Sequence, residues 1–184
     1  YYERIETDNT ASARQKKQEG DYIDTFFKIN FDYDKRNQRY KTSDGFLSSY
    51  SLDLPILSTN YTVTSGYNYK YYAELFENNI STFSFSFKGT SSLTGKDVKL
   101  SERLYVPSNK LRGFESGKIG PKDGNDFVGG NFLAAINLQS TLPILFENSQ
   151  NLDAIIFFDV ASLWGVDYDS SLDDGGKLRS SFGI

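Results

Sequence analysis

The chain is 184 residues long, with 20 Lys and Arg against 24 Asp and Glu, for a formal net charge of −4. Histidine and cysteine are absent, which excludes disulfides, zinc-finger ligation, a thiol nucleophile and a Ser-His-Asp triad within these residues. No basic stripe points to nucleic acid, and the longest apolar run, Ala154 to Phe158, is far short of the roughly 20 residues a membrane helix needs. Aromatic content is 16% while mean hydropathy is only −0.49, a combination compatible with a soluble β-protein or a membrane β-barrel. Methionine is absent and Tyr1-Tyr2-Glu3-Arg4 does not read as a signal peptide, so an internal piece of a longer protein is expected.

The dominant pattern is apolar–polar alternation with a period of two. Residues 22–34 place Ile23, Thr25, Phe27, Ile29, Phe31 and Tyr33 on one face, opposite Asp24, Lys28, Asn30, Asp32 and Asp34. Residues 46–57 repeat it with Phe46, Tyr50, Leu52, Leu54 and Ile56, and residues 67–76 with Tyr67, Tyr69, Tyr71, Ala73 and Leu75. Residues 80–89 set Phe83, Phe85 and Phe87 against Ser84, Ser86 and Lys88. Residues 131–142 carry Phe132, Ala134, Ile136 and Leu138 opposite Asn137 and Gln139; residues 153–163 set Ile156, Phe158 and Val160 opposite Asp159. A seventh strand is predicted over 178–184.

These predicted strands of about ten residues exceed the usual five or six and match the roughly 9–11 tilted residues that cross a bilayer. A soluble β-sandwich or lipocalin-like barrel alternates in the same way, with its apolar faces inward. Alternation alone does not say which face is inside. Strand parity puts the connections 58–66, 90–130 and 164–177 at one end, and 35–44, 77–79 and 143–152 at the other. Longer loops at one end and shorter turns at the other suit an outer-membrane barrel.

The long connection contains Leu111-Arg112-Gly113-Phe114, then Ile119-Gly120-Pro121 and Val128-Gly129-Gly130-Asn131. Phe157-Phe158-Asp159-Val160-Ala161 lies on a later strand. In this order the motifs resemble the C-terminal barrel of the BamA family of outer-membrane protein assembly factors. In that family an Arg-Gly-aromatic motif sits on a long extracellular loop folded into the barrel, and a later strand turns an Asp towards the lumen. Leu111 replaces the usual β-branched residue, Ala161 a usual glycine, and Gln139 a frequent Glu.

The resemblance implies an all-β, antiparallel up-and-down transmembrane barrel, of which the chain supplies about six to seven strands of sixteen, with 90–130 folded into the lumen. It implies that Arg112 reaches Asp159, with Gln139 and Phe157 nearby, that Gly113 permits close backbone approach and that Phe114 wedges against the wall. It further implies residence in the bacterial outer membrane, insertion of unfolded barrel-protein clients into the lipid bilayer, accessory assembly lipoproteins as partners, no cofactor and no covalent chemistry. A two-partner-secretion or autotransporter-assembly barrel, a passive porin, a barrel enzyme and a soluble binding module remain open alternatives. Elsewhere the chemistry is thin. Asp167–Asp174 has Leu172 where a calcium loop needs glycine and reads as a solvated acidic loop. Arg14-Gln15-Lys16-Lys17 reads as a solvated turn. Trp164, Tyr33 and Tyr67 are candidates for interfacial girdles.

Overall fold

The computed structural model describes residues 1–142, 154–173 and 176–184. Eight strands form one antiparallel sheet in the order β1-β2-β3-β4-β5-β8-β9-β10. They are β1 (Tyr2–Ile5), β2 (Gly20–Asp34), β3 (Gly45–Ser58), β4 (Thr62–Ala73), β5 (Ser81–Ser92), β8 (Phe132–Thr141), β9 (Ile155–Trp164) and β10 (Arg179–Gly183). Every strand pairs with its neighbour in sequence, apart from a small hairpin, β6 (Lys122–Asp123) with β7 (Asp126–Phe127), inside the long connection. The result is an unclosed up-and-down sheet of barrel type. Twelve residues of β4, at about 3.3 Å each, extend about 40 Å, enough to cross a hydrocarbon core of about 30 Å at a tilt.

The register assembles the alternating residues into continuous rows. One row runs Phe46–Tyr71–Phe83–Leu138–Phe158–Phe182, and the next Tyr33–Ser48–Tyr69–Phe85–Ile136–Val160. These residues cover the outer face and remain uncovered: Phe27 is 56% exposed, Phe31 64% and Phe182 85%. A soluble protein of this size would bury such a surface. The inner rows are polar, as in Leu47–Lys70–Ser84–Asn137–Asp159.

The packed core lies on the inner face. Leu104, Val106, Leu111 and Ile119 of the long connection meet Leu133 and Ala135 of β8 and Ala161 and Leu163 of β9. The alternation expected of a soluble sandwich is therefore inverted, with the loop filling the concave side and the aromatic rows facing outward.

Several boundaries differ from the sequence expectation. β4 begins at Thr62, so the predicted loop 58–66 shrinks to Thr59–Tyr61. Thr62, Thr64, Ser65 and Gly66 read as turn residues, yet they pair with Ser92, Thr90, Gly89 and Lys88 on β5 in unbroken register. β4 ends at Ala73, leaving Leu75 outside it. β1 adds an unexpected strand, joined to β2 through a connection carrying the helix Ala13–Lys16 (α1). Ser12 caps that helix by accepting from the Gln15 amide, so residues 14–16 are helical rather than a plain turn. The expected connection 143–152, Asp153 and Asp174 lie outside the described residues. Trp164 stacks on Phe132 with centroids 5.9 Å apart, near the end of the sheet that carries the long loops. Tyr33 and Phe46 meet at the opposite end at 5.6 Å. Tyr67 does not belong to either belt: it sits midway along β4, its hydroxyl 3.1 Å from that of Ser48.

The two faces should respond oppositely to charge. Ile136→Arg, on the outer face near the middle of β8, should destabilise the complete protein in bilayers by about 2–4 kcal/mol. Asn68→Arg, on the inner face of β4, should change stability by less than about 1 kcal/mol. Urea titration in lipid vesicles measures both, and equal losses would contradict the assignment of faces.

Candidate functional site: a loop arginine held against the inner wall

Arg112 reaches the inner wall because its neighbours hold the backbone in place. Leu111, 1% exposed, plugs into the core between loop and wall, and Asn137 Nδ2 donates to the Lys110 carbonyl at 2.9 Å. From there Arg112 makes a two-pronged contact with Asp159, Nε to Oδ2 at 2.7 Å and Nη2 to Oδ1 at 2.7 Å. Its backbone amide adds a third bond to Oδ2 at 3.1 Å. Such fork-to-carboxylate pairs are short, directional and stronger than neutral hydrogen bonds.

The rest of the site satisfies both groups. Asn137 donates to Asp159 Oδ1 at 2.8 Å, and Gln139 Oε1 accepts from Arg112 Nη1 at 3.4 Å. The Phe157 ring lies 3.8 Å from the guanidinium carbon, within the range of a cation–π contact. Strand periodicity makes this possible, since Phe157 and Asp159 share the inner face of β9 and pair with Gln139 and Asn137 of β8. Asp159 has no side-chain exposure, while Arg112 keeps 30%. The carboxylate therefore depends on its partners more than the arginine does.

Glycines do different work from what the sequence suggests. Gly113 has φ +81°, and a Cβ there would meet nothing within 4 Å. It is needed for the left-handed turn after Arg112, not for close approach. Close approach belongs to Gly120 and Gly130. A Cβ on Gly120 would lie 2.6 Å from Leu163, and one on Gly130 2.6 Å from the Trp164 carbonyl. Gly129, with φ +71°, brings the chain back against the Leu104 carbonyl, where Leu104 and Gly130 exchange two backbone bonds. Ile119 and Pro121 flank Gly120 in the buried layer. Phe114 does not wedge into the wall; it is 36% exposed beside Ile119, Phe127, Leu172 and Arg179 near the β10 edge. Ala161, in place of the family's glycine, fills the core opposite Ala135.

A second polar cluster gave no recognisable motif. Lys99, 2% exposed, contacts Asp24 of β2 closely and lies 3.4 Å from both Glu3 and Glu102. Burial opposes its charge, but these carboxylates outweigh it and hold the ammonium pKa above the ordinary lysine value. Burial pushes the Glu102 carboxyl up. An isolated lysine in a loop carries no sequence sign of burial; only its position opposite Asp24 reveals it. Asp169 accepts from the Ser171 amide at 2.9 Å and pairs with Arg14, while Asp167 pairs with the buried Arg103, so the acidic loop is tied into the structure rather than simply solvated. Among the described residues no cluster of potential metal ligands occurs.

The Omp85 superfamily domain matches residues 1–184. The chain belongs to the Omp85 superfamily. It is part of an outer-membrane β-barrel. Over 93 residues, 49% of the chain, it is 33% identical to the outer membrane protein assembly factor BamA of Neorickettsia risticii. Over 54 residues, 29% of the chain, it is 41% identical to a SAM50-like protein of Schizosaccharomyces pombe. These alignments cover 12% and 11% of those two proteins, so the chain spans a small part of each. In fold it is similar to BamA from Haemophilus ducreyi lacking POTRA domains 1–3, with a TM-score of 0.75 and 23% identity over 85% of this chain and 34% of that one.

Two measurements probe the site. In a double-mutant cycle read by chemical unfolding of the complete protein, Arg112→Ala should cost about 3 kcal/mol, because it strands a buried carboxylate. Asp159→Ala should cost less, about 1.5–2 kcal/mol, and the double variant little more than Arg112→Ala alone. Strictly additive losses would refute the coupling. Among the glycines, Gly113→Ala should cost about 1–2 kcal/mol for backbone strain alone. Gly130→Ala should cost distinctly more, since its new methyl meets backbone that cannot give way; equal losses would show that loop and wall are not in close contact.

Proposed function

We propose that this chain is wall and internal loop of a β-barrel assembly factor, which folds client barrel proteins and inserts them into the outer membrane. The observation that carries the reading is the seating of the Leu111-Arg112-Gly113-Phe114 loop on the inner wall at Asp159, in a chain of this superfamily. A passive porin would call for charged groups around an open constriction. Here the loop instead packs Leu104, Val106, Leu111 and Ile119 tightly onto β8 and β9, and the arginine is spent on an internal contact. The similarity to the outer membrane protein assembly factor BamA supports assembly over secretion. The clients are unfolded barrel chains, and accessory lipoproteins assist. No covalent step is required, because strand pairing and burial in lipid drive the folding of a client.

The test is reconstitution. The complete protein in lipid vesicles should accelerate conversion of a urea-unfolded outer-membrane barrel to its protease-resistant form. Arg112→Ala should slow that conversion at least about fivefold, while Arg112→Lys restores only part of the rate because an ammonium lacks the bidentate fork. Conversion no faster than in empty vesicles would end the assembly reading.

A further inference from the structure

We propose that residues 98–103 are a strut across the concave side of the wall, tying β2 to the connection after β9 and holding the two flanks at a fixed separation. At one end Lys99 is inserted among Asp24 of β2, Glu3 of β1 and Glu102, with its ammonium 4.9 Å from the Tyr22 ring centroid. Ser101 adds a bond to Glu3 at 2.9 Å. At the other end Arg103, whose side chain has no exposure, pairs with Asp167 and lies 4.6 Å from the Tyr168 ring. The Val98 amide, next to Lys99, donates to the second Asp167 oxygen at 2.7 Å, so both termini of the segment converge on that carboxylate while the Lys99 side chain reaches back to β2. Both ends are therefore ion pairs reinforced by an aromatic ring and a neighbouring hydrogen bond.

The geometry explains why a tie here matters. From β2 to β9 the sheet advances through β3, β4, β5 and β8, five strand spacings of about 4.8 Å, or about 24 Å along the arc. Lys99 to Arg103 is four residue steps, at most about 14 Å. Leu100–Glu102 form a 3-10 turn, so the backbone crosses compactly and the long Lys99 and Arg103 side chains make the rest of the span. Arg112 takes no part in the tie to β2, since its side-chain partners, Asp159 and Gln139, lie on the adjacent β9 and β8. A change in barrel shape must consequently be taken up outside β2–β9.

The strut rests on the architecture, not on the proposed activity, and its test needs no client. The chain has no native cysteine, so spin labels can be placed at Thr25→Cys on β2 and Val160→Cys on β9 in the complete protein in lipid. Lys99→Met and Arg103→Met should each broaden the measured distance distribution at least about twofold, whereas Arg112→Ala leaves it narrow. Asp167→Asn, at a more accessible position, should broaden it too and serves if Lys99→Met does not fold. An unchanged width in these strut variants would overturn the proposal. So would equal broadening by Arg112→Ala, which would assign the effect to docking of the whole loop. A vesicle assay run in parallel separates the two readings: unaccelerated client folding with a strut-dependent width removes the function and leaves the strut.

Discussion

A bilayer offers no partner to a backbone amide or carbonyl, so every spanning segment must satisfy its own hydrogen bonds with a neighbour. This constraint organises the whole chain. It keeps β2 to β9 paired without a gap, each strand beside its sequence neighbour, and confines irregular backbone to the ends and to the concave interior. It also sets the two chemistries of the wall. The outer rows need side chains that lipid accepts, hence Phe46, Tyr71, Phe83, Leu138 and Phe158 in register. The inner rows face a polar space, where Lys70, Ser84, Asn137 and Asp159 line up instead.

A long irregular segment inside such a wall carries its own polar groups, and the loop from β5 to β8 satisfies them in two ways. It folds a local scaffold, with the β6–β7 hairpin and the Leu104–Gly130 bridge. It then borrows partners from the wall, placing Arg112 on Asp159, Lys99 on Asp24 and Lys110 on Ser86. Apolar packing onto β8 and β9 gives the affinity, while the charged contacts set register and orientation. Removing one partner of a buried pair is far more disruptive than the pair is stabilising, so these contacts tolerate loss poorly. That asymmetry suits an element whose position matters more than its contribution to overall stability.

The organisation also separates rigid from replaceable parts. Gly130 brings loop and wall backbones together, Gly120 closes on the Leu163 side chain of the wall, and Gly129 closes the loop on itself at Leu104, each where a side chain would not fit. Gly113 and the exposed Phe114 sit at the free tip, where space is open. The contacts of Arg112 and Lys99 with the inner wall brace the rigid part.

Period-two alternation made most of the strands and their antiparallel order legible in the sequence, because each strand has two environments and side chains must match them. That the aromatic face points outward followed only from strand length and the family resemblance. The partnership of Arg112 with Asp159 was legible only through family resemblance, since 47 residues separate them and no local pattern joins them. Three features were decided by tertiary structure alone. Thr62–Gly66 is strand because β5 offers it backbone partners in unbroken register, although its composition reads as turn. Lys99 is buried because Asp24 waits for it across the concavity, and a single lysine in a loop carries no mark of that. Which glycines serve close approach depends on what lies opposite the missing Cβ, open space at Gly113, which is needed only for its φ, and the Trp164 backbone at Gly130. Local sequence determines which way a side chain points along a strand; what it meets there is determined by segments far away in the chain.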